Sequence, residues 1–315
     1  MRVRTSRSVL AVLLTSAALV AVASRPAGAD EPAKKAYKVL LRERWKAGDV
    51  ATRTVRETAE TNVEVREGDA EAKKLPKNER QTSYVAVLKC LEADAEGYVT
   101  KMLVYLNAWT LESGPEKDSS LAGVHIEVTG KGAERAWKIL TPGATPSKFA
   151  SGWIEQNFGK LASGDATNAD MEPAAPVEVG ATWEGKAASI AKRVADRGIP
   201  VDVEKAKANG TLLGVDGATV RVKVAISFPL TEFVAGNGQR LPWKDGCTME
   251  LAVDVTRPLE AGSFDAKLKS VQHAAGVAVA PNALITREDD LTRDISIATG
   301  GKMPDVPTAP ADGGK

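Results

Sequence analysis

Histidine and cysteine are scarce in this chain of 315 residues, which contains two of each. His125 and His273 fall on or beside polar strand faces, which favours a surface role, because histidine serves catalysis only with a positioned partner. Two isolated cysteines and two isolated histidines also lack the close spacing of zinc ligands. The sequence therefore predicts no catalytic residue, no metal site and no cofactor.

The motifs of common nucleotide and hydrolase sites are missing as well. No Gly-x-Ser-x-Gly elbow is present, which argues against an α/β-hydrolase. Gly130-Lys131-Gly132 and Gly236-Asn237-Gly238 lack the rest of a phosphate-binding loop and fit hairpin turns better. Glu288-Asp289-Asp290 lacks the ligand spacing of an EF-hand and is predicted to be a solvated acidic turn.

Charge of one sign is not in excess, since 42 basic residues face 41 acidic ones. Loss of the first 29 residues would remove four arginines and leave 42 − 4 = 38 basic residues, a net charge near −3. This balance gives no electrostatic reason to expect nucleic acid or an anionic membrane as a partner.

Long apolar runs are absent except near the amino terminus. Arg2, Arg4 and Arg7 precede the apolar run from Val9 to Ala23, and Ala27-Gly28-Ala29 has the small-x-small form of a cleavage site. A run of about 15 residues is short for the ~20 that span a bilayer. We expect residues 1–29 to be a signal peptide, with an earlier cut after Ala23 as the alternative. The protein is then periplasmic or secreted, with no transmembrane segment after cleavage.

Alternation of apolar and polar residues is the dominant pattern in the rest of the chain. It is clearest from Leu212 to Phe228, where every second residue from Val220 onwards is apolar and Asp216-Gly217 supplies a hairpin turn. Similar alternation recurs through residues 30–299. The sequence therefore predicts a mainly β protein with short α-helices, folded as an antiparallel curved sheet or half-barrel.

Several element boundaries follow from the same patterns. Strands are expected from Tyr37 to Trp45 and over residues 50–65, and a loop from Phe233 to Gly246. Leu284 to Ile297 is expected to form two strands that turn at Glu288-Asp289-Asp290. The Gly- and Pro-rich segment 300–315 is expected to be a disordered tail.

Two segments have helical rather than strand spacing. One has Phe149, Trp153, Ile154, Phe158 and Leu161 on one side, and the other covers residues 187–197. Most aromatic residues at such spacing belong to a core. If the curved sheet encloses an apolar cavity, its candidate lining residues are Trp153, Phe158, Val220, Val222 and Val224.

A weak internal repeat and a pair of cysteines add two further expectations. The order of turns and strands over residues 37–140 recurs over residues 177–297, which favours duplication of one β unit. A disulfide between Cys90 and Cys247 is allowed in an oxidising compartment. Two buried free thiols are the alternative.

The order of these features resembles uncharacterised exported bacterial families. The resemblance covers residues 37–297 and is carried by the Lys-x-Gly-Asp turn at Lys46–Asp49, the long Thr/Val strands, the Val-x-Val-Gly-x-x-Trp segment at Val177–Trp183 and the Leu-rich hairpin. Some of these families resemble the LolA-like half-barrel of periplasmic lipoprotein carriers. The resemblance implies a bent sheet that holds helices on its concave side around an apolar cavity, and it carries over no functional residue.

The sequence as a whole favours an exported, non-enzymatic binding protein or an envelope-associated interaction module. The expected partner is a hydrophobic small molecule or an envelope protein. A hydrolase whose carboxylates converge only in the folded chain is the alternative.

Overall fold

The computed structural model describes residues 35–159, 162, 164–235, 238–259 and 264–307. The predicted signal peptide and Leu161 lie outside these residues. In the described part of the chain, no helix is both long enough and apolar enough to cross a membrane.

Antiparallel strands dominate the described residues, which confirms the predicted mainly β class with short helices. Thirteen strands form one curved, open sheet in the order β10-β11-β12-β13-β14-β15-β2-β4-β5-β7-β8, with β3 paired to β2 and β6 to β5. Strands β1 and β9 form a separate pair. The strands are β1 (Ala36–Tyr37), β2 (Val50–Glu67), β3 (Lys73–Lys74), β4 (Asn78–Ala93), β5 (Val99–Ser113), β6 (Glu116–Asp118), β7 (Val124–Thr129), β8 (Ala136–Ile139), β9 (Val177–Glu178), β10 (Thr182–Glu184), β11 (Lys207–Asp216), β12 (Thr219–Val234), β13 (Arg240–Pro258), β14 (Ala266–Ala280) and β15 (Ala283–Thr299).

The hairpin of β11 and β12 forms as the sequence predicts. Asp216 pairs with Thr219 around Gly217, whose φ of +56° is a conformation that glycine adopts without a steric penalty. Val220, Val222 and Val224 are buried, whereas Arg221 and Lys223 are exposed. The period of two therefore sets which face of the sheet enters the core.

One face of the sheet, here called the helix-covered face, carries two hydrophobic clusters. The first cluster joins β2, β4, β5 and β7 to α1 (Lys148–Asn157), which Ser147 caps by accepting a hydrogen bond from the amide of Ala150. The second joins β11, β12 and β13 to α3 (Ala187–Ala195). A third helix, α2 (Gly164–Asp170), precedes β9. The opposite face of the sheet is called the outer face below.

Three predicted element boundaries are wrong. Residues 38–45 form no strand, and Val39, Leu41 and Trp45 are buried as an irregular segment whose Arg42 carbonyl accepts a hydrogen bond from Arg257. The predicted loop after Phe233 is instead a hairpin, because β12 and β13 continue to pair as far as Val234 and Arg240. β15 is one uninterrupted strand, because β14 and β2 pair with it on both sides.

Part of the predicted disordered tail is ordered, so this prediction is wrong for residues 300–307. The amide of Gly300 donates to the carbonyl of Val50 at 2.7 Å, and the carbonyl of Pro304 lies 3.1 Å from Nε2 of His125. Hydrogen bonds from backbone groups of this segment to β2 and to His125 hold it in place even though its composition does not favour packing. Residues 308–315 lie outside the described chain.

The structure decides between the two alternatives for the cysteines, because Cys90 and Cys247 are free thiols. Cys90 lies on β4 and Cys247 on β13, with β2, β15 and β14 between them. Four interstrand spacings of about 4.8 Å place the two strands roughly 19 Å apart, whereas a disulfide requires Cα atoms within about 7 Å. Both thiols are buried and free, as the second alternative expects.

The two segments of the predicted repeat, residues 37–140 and 177–297, occupy neighbouring parts of the same sheet. Strands β10 to β15 lie side by side in chain order, and β15 joins them to the part formed by β2, β4, β5, β7 and β8. Duplication of one β unit stays a prediction.

Candidate functional site

The five predicted cavity residues are buried but do not meet. Trp153 and Phe158 pack in the first cluster, where the ring of Trp153 contacts those of Tyr84 and Trp109 at centroid distances of 4.9 and 5.6 Å. Val220, Val222 and Val224 pack in the second cluster with α3. These residues are core residues of two separate clusters, and the cavities described below have other walls.

An irregularity in β13 shapes the main cleft of the helix-covered face. Leu230 pairs with Cys247 and Glu232 with Pro242, so the single residue Thr231 of β12 faces the four residues 243–246 of β13. Pairing with β14 is also interrupted between Trp243 and Thr248. Bulges of this kind redirect side chains and end local pairing. Residues 243–247 are called the β13 bulge below.

A narrow chamber of about 160 Å³ lies beside the bulge. The rings of Phe233 and Trp243 meet edge to face with centroids 5.5 Å apart, and the guanidinium of Arg287 lies 5.5 Å from the centre of the Phe233 ring. The chamber is lined by apolar residues and a few charged ones, which include Ile199, Leu230, Ala274, Glu232 and Asp289.

A wider pocket of about 520 Å³ shares Leu230 and Cys247 with the narrow chamber, but its Thr248 and Ala275 form a cross-strand pair on the outer face of the sheet. Its other walls are mostly polar and include Asp202, Lys205, Thr231, Asp245 and Thr248. Asp202 is engaged within its own turn, where it accepts from the amides of Glu204 and Lys205 at 3.2 Å each and pairs with Lys205 Nζ at 2.9 Å.

Trp243 reaches its position because a glycine faces it. A Cβ atom on Gly276 would lie 2.8 Å from Cε3 and Cζ3 of Trp243 and 3.0 Å from Cβ of Cys247. The indole Nε1 is buried and has no acceptor in the described part of the chain. An unsatisfied buried donor costs about 1–3 kcal/mol.

Two titratable groups of the cleft, Cys247 and Asp289, have well-defined environments. Burial, together with the nearby charge of Asp289, raises the pKa of the Cys247 thiol, so it stays protonated and weakly nucleophilic at neutral pH. Both carboxylate oxygens of Asp289 are occupied, one by the hydroxyl of Thr61 at 2.7 Å and the other by Nε of Arg287 at 2.6 Å.

The two histidines have different environments, and the predicted surface role is wrong for one of them. His125 is only 2% exposed and packs against the ring of Tyr105 at a centroid distance of 4.7 Å. His273 is exposed, and its Nδ1 lies 2.7 Å from Oδ1 of Asp290. The hydrogen bond to Asp290 raises the pKa of His273, and the charges of Glu288 and Glu250 act in the same direction.

Sequence reasoning missed the residues that build the cleft. Phe233 and Trp243 were assigned to a loop, and Gly276 lies in a strand with no feature that marks it as a contact. The available signal was Asp245-Gly246, a turn-forming pair inside a strand pattern that otherwise alternates. Gly246 has a φ of +81°.

No protein-family model matches this sequence, and no curated protein matches it. Among solved structures, the chain is similar to one titled "Lipid-protein interactions in lipovitellin", with 7% sequence identity and a TM-score of 0.39. The match covers 83% of this chain and 26% of the other, so this chain spans about a quarter of that protein's length. The resemblance to LolA-like carriers stays a prediction.

Proposed function

We propose that this protein is a non-enzymatic binding protein that holds one small, partly apolar molecule in the cleft beside the β13 bulge. The observation that carries the proposal is the buried indole N–H of Trp243, which lacks an acceptor in the described chain and belongs to a residue of the cleft wall. Buried donors are normally paired. Because the N–H is covered in this structure, a bound molecule with one acceptor atom would complete this site after a small rotation of the indole ring toward the chamber.

The dimensions of the cleft define the class of ligand. A cavity of about 150 Å³ accommodates a benzene-sized group, and the narrow chamber has about 160 Å³. The polar end of the ligand would lie near Glu232 and Arg287, the charged residues that line the same chamber. We therefore propose a ligand with a single ring or a short alkyl chain and a polar end that includes a hydrogen-bond acceptor.

The place of action is also a proposal and rests on the sequence alone. The basic, apolar and small-residue segments of positions 1–29 have the order of a signal peptide. We propose that the protein binds its ligand in the periplasm or outside the cell. A role as an interaction module for an envelope protein is the outcome that remains if the cleft holds no molecule.

Native mass spectrometry of the protein from its own source tests whether a small molecule copurifies. In parallel, 4′-fluoroacetophenone serves as a probe, because it combines one ring with a carbonyl acceptor and can be followed by fluorine NMR. We expect one bound molecule per chain and saturable binding of the probe. Trp243→Phe keeps a ring but removes the N–H, and we expect it to weaken binding by about 2–10-fold, the value of one hydrogen bond.

A matched pair of surface variants locates the site. Ile199 lines the narrow chamber and is 38% exposed, whereas Leu213 is 47% exposed on β11 and is not a wall residue of either chamber. Ile199→Glu should weaken probe binding, and Leu213→Glu should leave it unchanged. Equal effects of the two variants, together with no copurified molecule, would contradict the proposal.

A further inference from the structure

A second group of functional side chains lies on the outer face of the sheet, away from the apolar cleft. His273 of β14 and Glu288 and Asp290 of β15 each offer one ligand atom, and these three atoms lie within 4.8 Å of one another. His273 is the direct cross-strand partner of Asp290, and Glu288 lies two residues before Asp290 on the same face. Two long paired strands therefore hold the three side chains side by side.

The surroundings of this group are strongly acidic. In successive cross-strand pairs, His273 faces Glu250 on one side and Asp290 on the other, Asp290 faces Glu60, and Glu60 faces Glu79. Like charges directly opposite each other destabilise a sheet. Lys77 pairs with Glu60 at 2.7 Å and relieves part of this repulsion. A divalent cation between β14 and β15 would relieve more of it.

We propose that His273, Glu288 and Asp290 form a binding site for a divalent transition metal ion of the zinc type. The imidazole nitrogen distinguishes this group from an ordinary acidic patch, because Mg²⁺ and Ca²⁺ prefer ligand sets made only of oxygen, whereas imidazole suits zinc and its neighbours. The site is independent of the proposed small-molecule function.

The pair formed by His273 and Asp290 needs only a small side-chain adjustment to bind zinc. Zinc binds nitrogen and carboxylate oxygen at about 2.0–2.2 Å, so neighbouring ligand atoms in a tetrahedral site lie about 3.4 Å apart. Nδ1 of His273 and Oδ1 of Asp290 are now 2.7 Å apart, at hydrogen-bonding distance. Metal binding would replace the shared proton and separate the two atoms by less than about 1 Å. Three protein ligands would leave the fourth position to water.

Isothermal titration calorimetry of the full chain, produced without a histidine tag, tests the site with zinc chloride as the probe. We expect one zinc ion per chain. His273→Gln and Glu288→Gln should each weaken binding at least tenfold. Both residues are exposed, so these variants should fold, and circular dichroism together with urea unfolding checks that they do.

Asp254→Asn is the matched control, because Asp254 is an exposed outer-face carboxylate that faces Lys223 and Lys269 rather than other acidic residues. It should bind zinc as the wild type does. Ile199→Glu should also keep zinc binding, which separates a failure of this site from a failure of the cleft. The proposal is overturned if zinc does not bind, if His273→Gln binds it equally well, or if calcium chloride and magnesium chloride bind as tightly as zinc.

Discussion

Gly276→Ala is the sharpest test of how the cleft is built. The added Cβ would lie 2.8 Å from Cε3 and Cζ3 of Trp243 and 3.0 Å from Cβ of Cys247. Carbon atoms in contact normally lie about 3.5–4.0 Å apart, so the indole must retreat by about 1 Å. Trp243 lies in the β13 bulge, contacts the ring of Phe233 and lines the narrow chamber together with Phe233 and Cys247. Its movement would therefore change the shape of that chamber.

The expected magnitude follows from two opposing terms. Overpacking of this kind costs about 1–3 kcal/mol, and replacing glycine by alanine returns about 0.4–1 kcal/mol by restricting the unfolded chain. We therefore expect Gly276→Ala to lower the free energy of unfolding by about 1–2 kcal/mol. Urea unfolding measures this change, and the fluorine NMR titration should show weaker binding of the acetophenone probe.

Gly152→Ala is the control for the same chemical change. Gly152 is exposed in α1, and a Cβ atom there would meet no atom within 4 Å. Because glycine is about 1 kcal/mol less favourable than alanine in a helix, this variant should be more stable than the wild type. If Gly276→Ala is as stable as the wild type and binds the probe normally, the close approach of Trp243 to β14 does not shape the cleft.

Three further outcomes are expected. Iodoacetamide should modify neither thiol of the folded protein at pH 8, because burial raises the pKa of Cys90 to about 11 and also raises that of Cys247. Rapid labelling of either cysteine before urea is added would contradict this prediction. Ending the chain after Thr299 should lower the free energy of unfolding by about 1–3 kcal/mol, because buried His125 loses the carbonyl of Pro304. A chain that ends after residue 307 is the control and should keep wild-type stability. Equal stability of the two truncated chains would refute this role of Pro304. The hydrogen bond from Lys138 and the attraction of Lys101 hold the pKa of Glu127 below its ordinary value. Its stabilising contribution is therefore complete above the unfolded pKa of about 4.3 and is lost as pH falls through the folded pKa. Urea unfolding should show Glu127→Gln less stable than the wild type at pH 7 and equal to it at acidic pH, and a difference independent of pH would show that the ion pairs do not cause it.

Sequence patterns predicted the fold where one physical signal was sufficient. Alternation from Val220 to Phe228 identified both the strand and its buried side, because a half-buried strand has no other period. Helical spacing located both α1 and α3. It placed the end of α3 within two residues, whereas α1 ends at Asn157, four residues before Leu161, the last residue of the predicted apolar side. Phe149 is an exception, since it is 63% exposed although its spacing placed it on the apolar side.

The candidate site could not be predicted in the same way, because it depends on contacts between distant parts of the chain. Nothing near Gly276 in the sequence indicates that Trp243 will lie against it, since the contact arises from a shift in the register of β13. The acidic segment at Glu288-Asp289-Asp290 was expected to turn, as an isolated peptide of that composition would. Strands β14 and β2 instead hold it extended along both sides.

The sequence by itself determined the β class, the β11–β12 hairpin and the apolar face of β12, because these depend on residues two to four positions apart. Only the tertiary structure decided which strands became neighbours. That order separated Cys90 from Cys247, divided the predicted cavity residues between two clusters, and brought His273 beside Glu288 and Asp290. Strand order is set by the summed packing of the whole sheet, and no local pattern of residues encodes that sum.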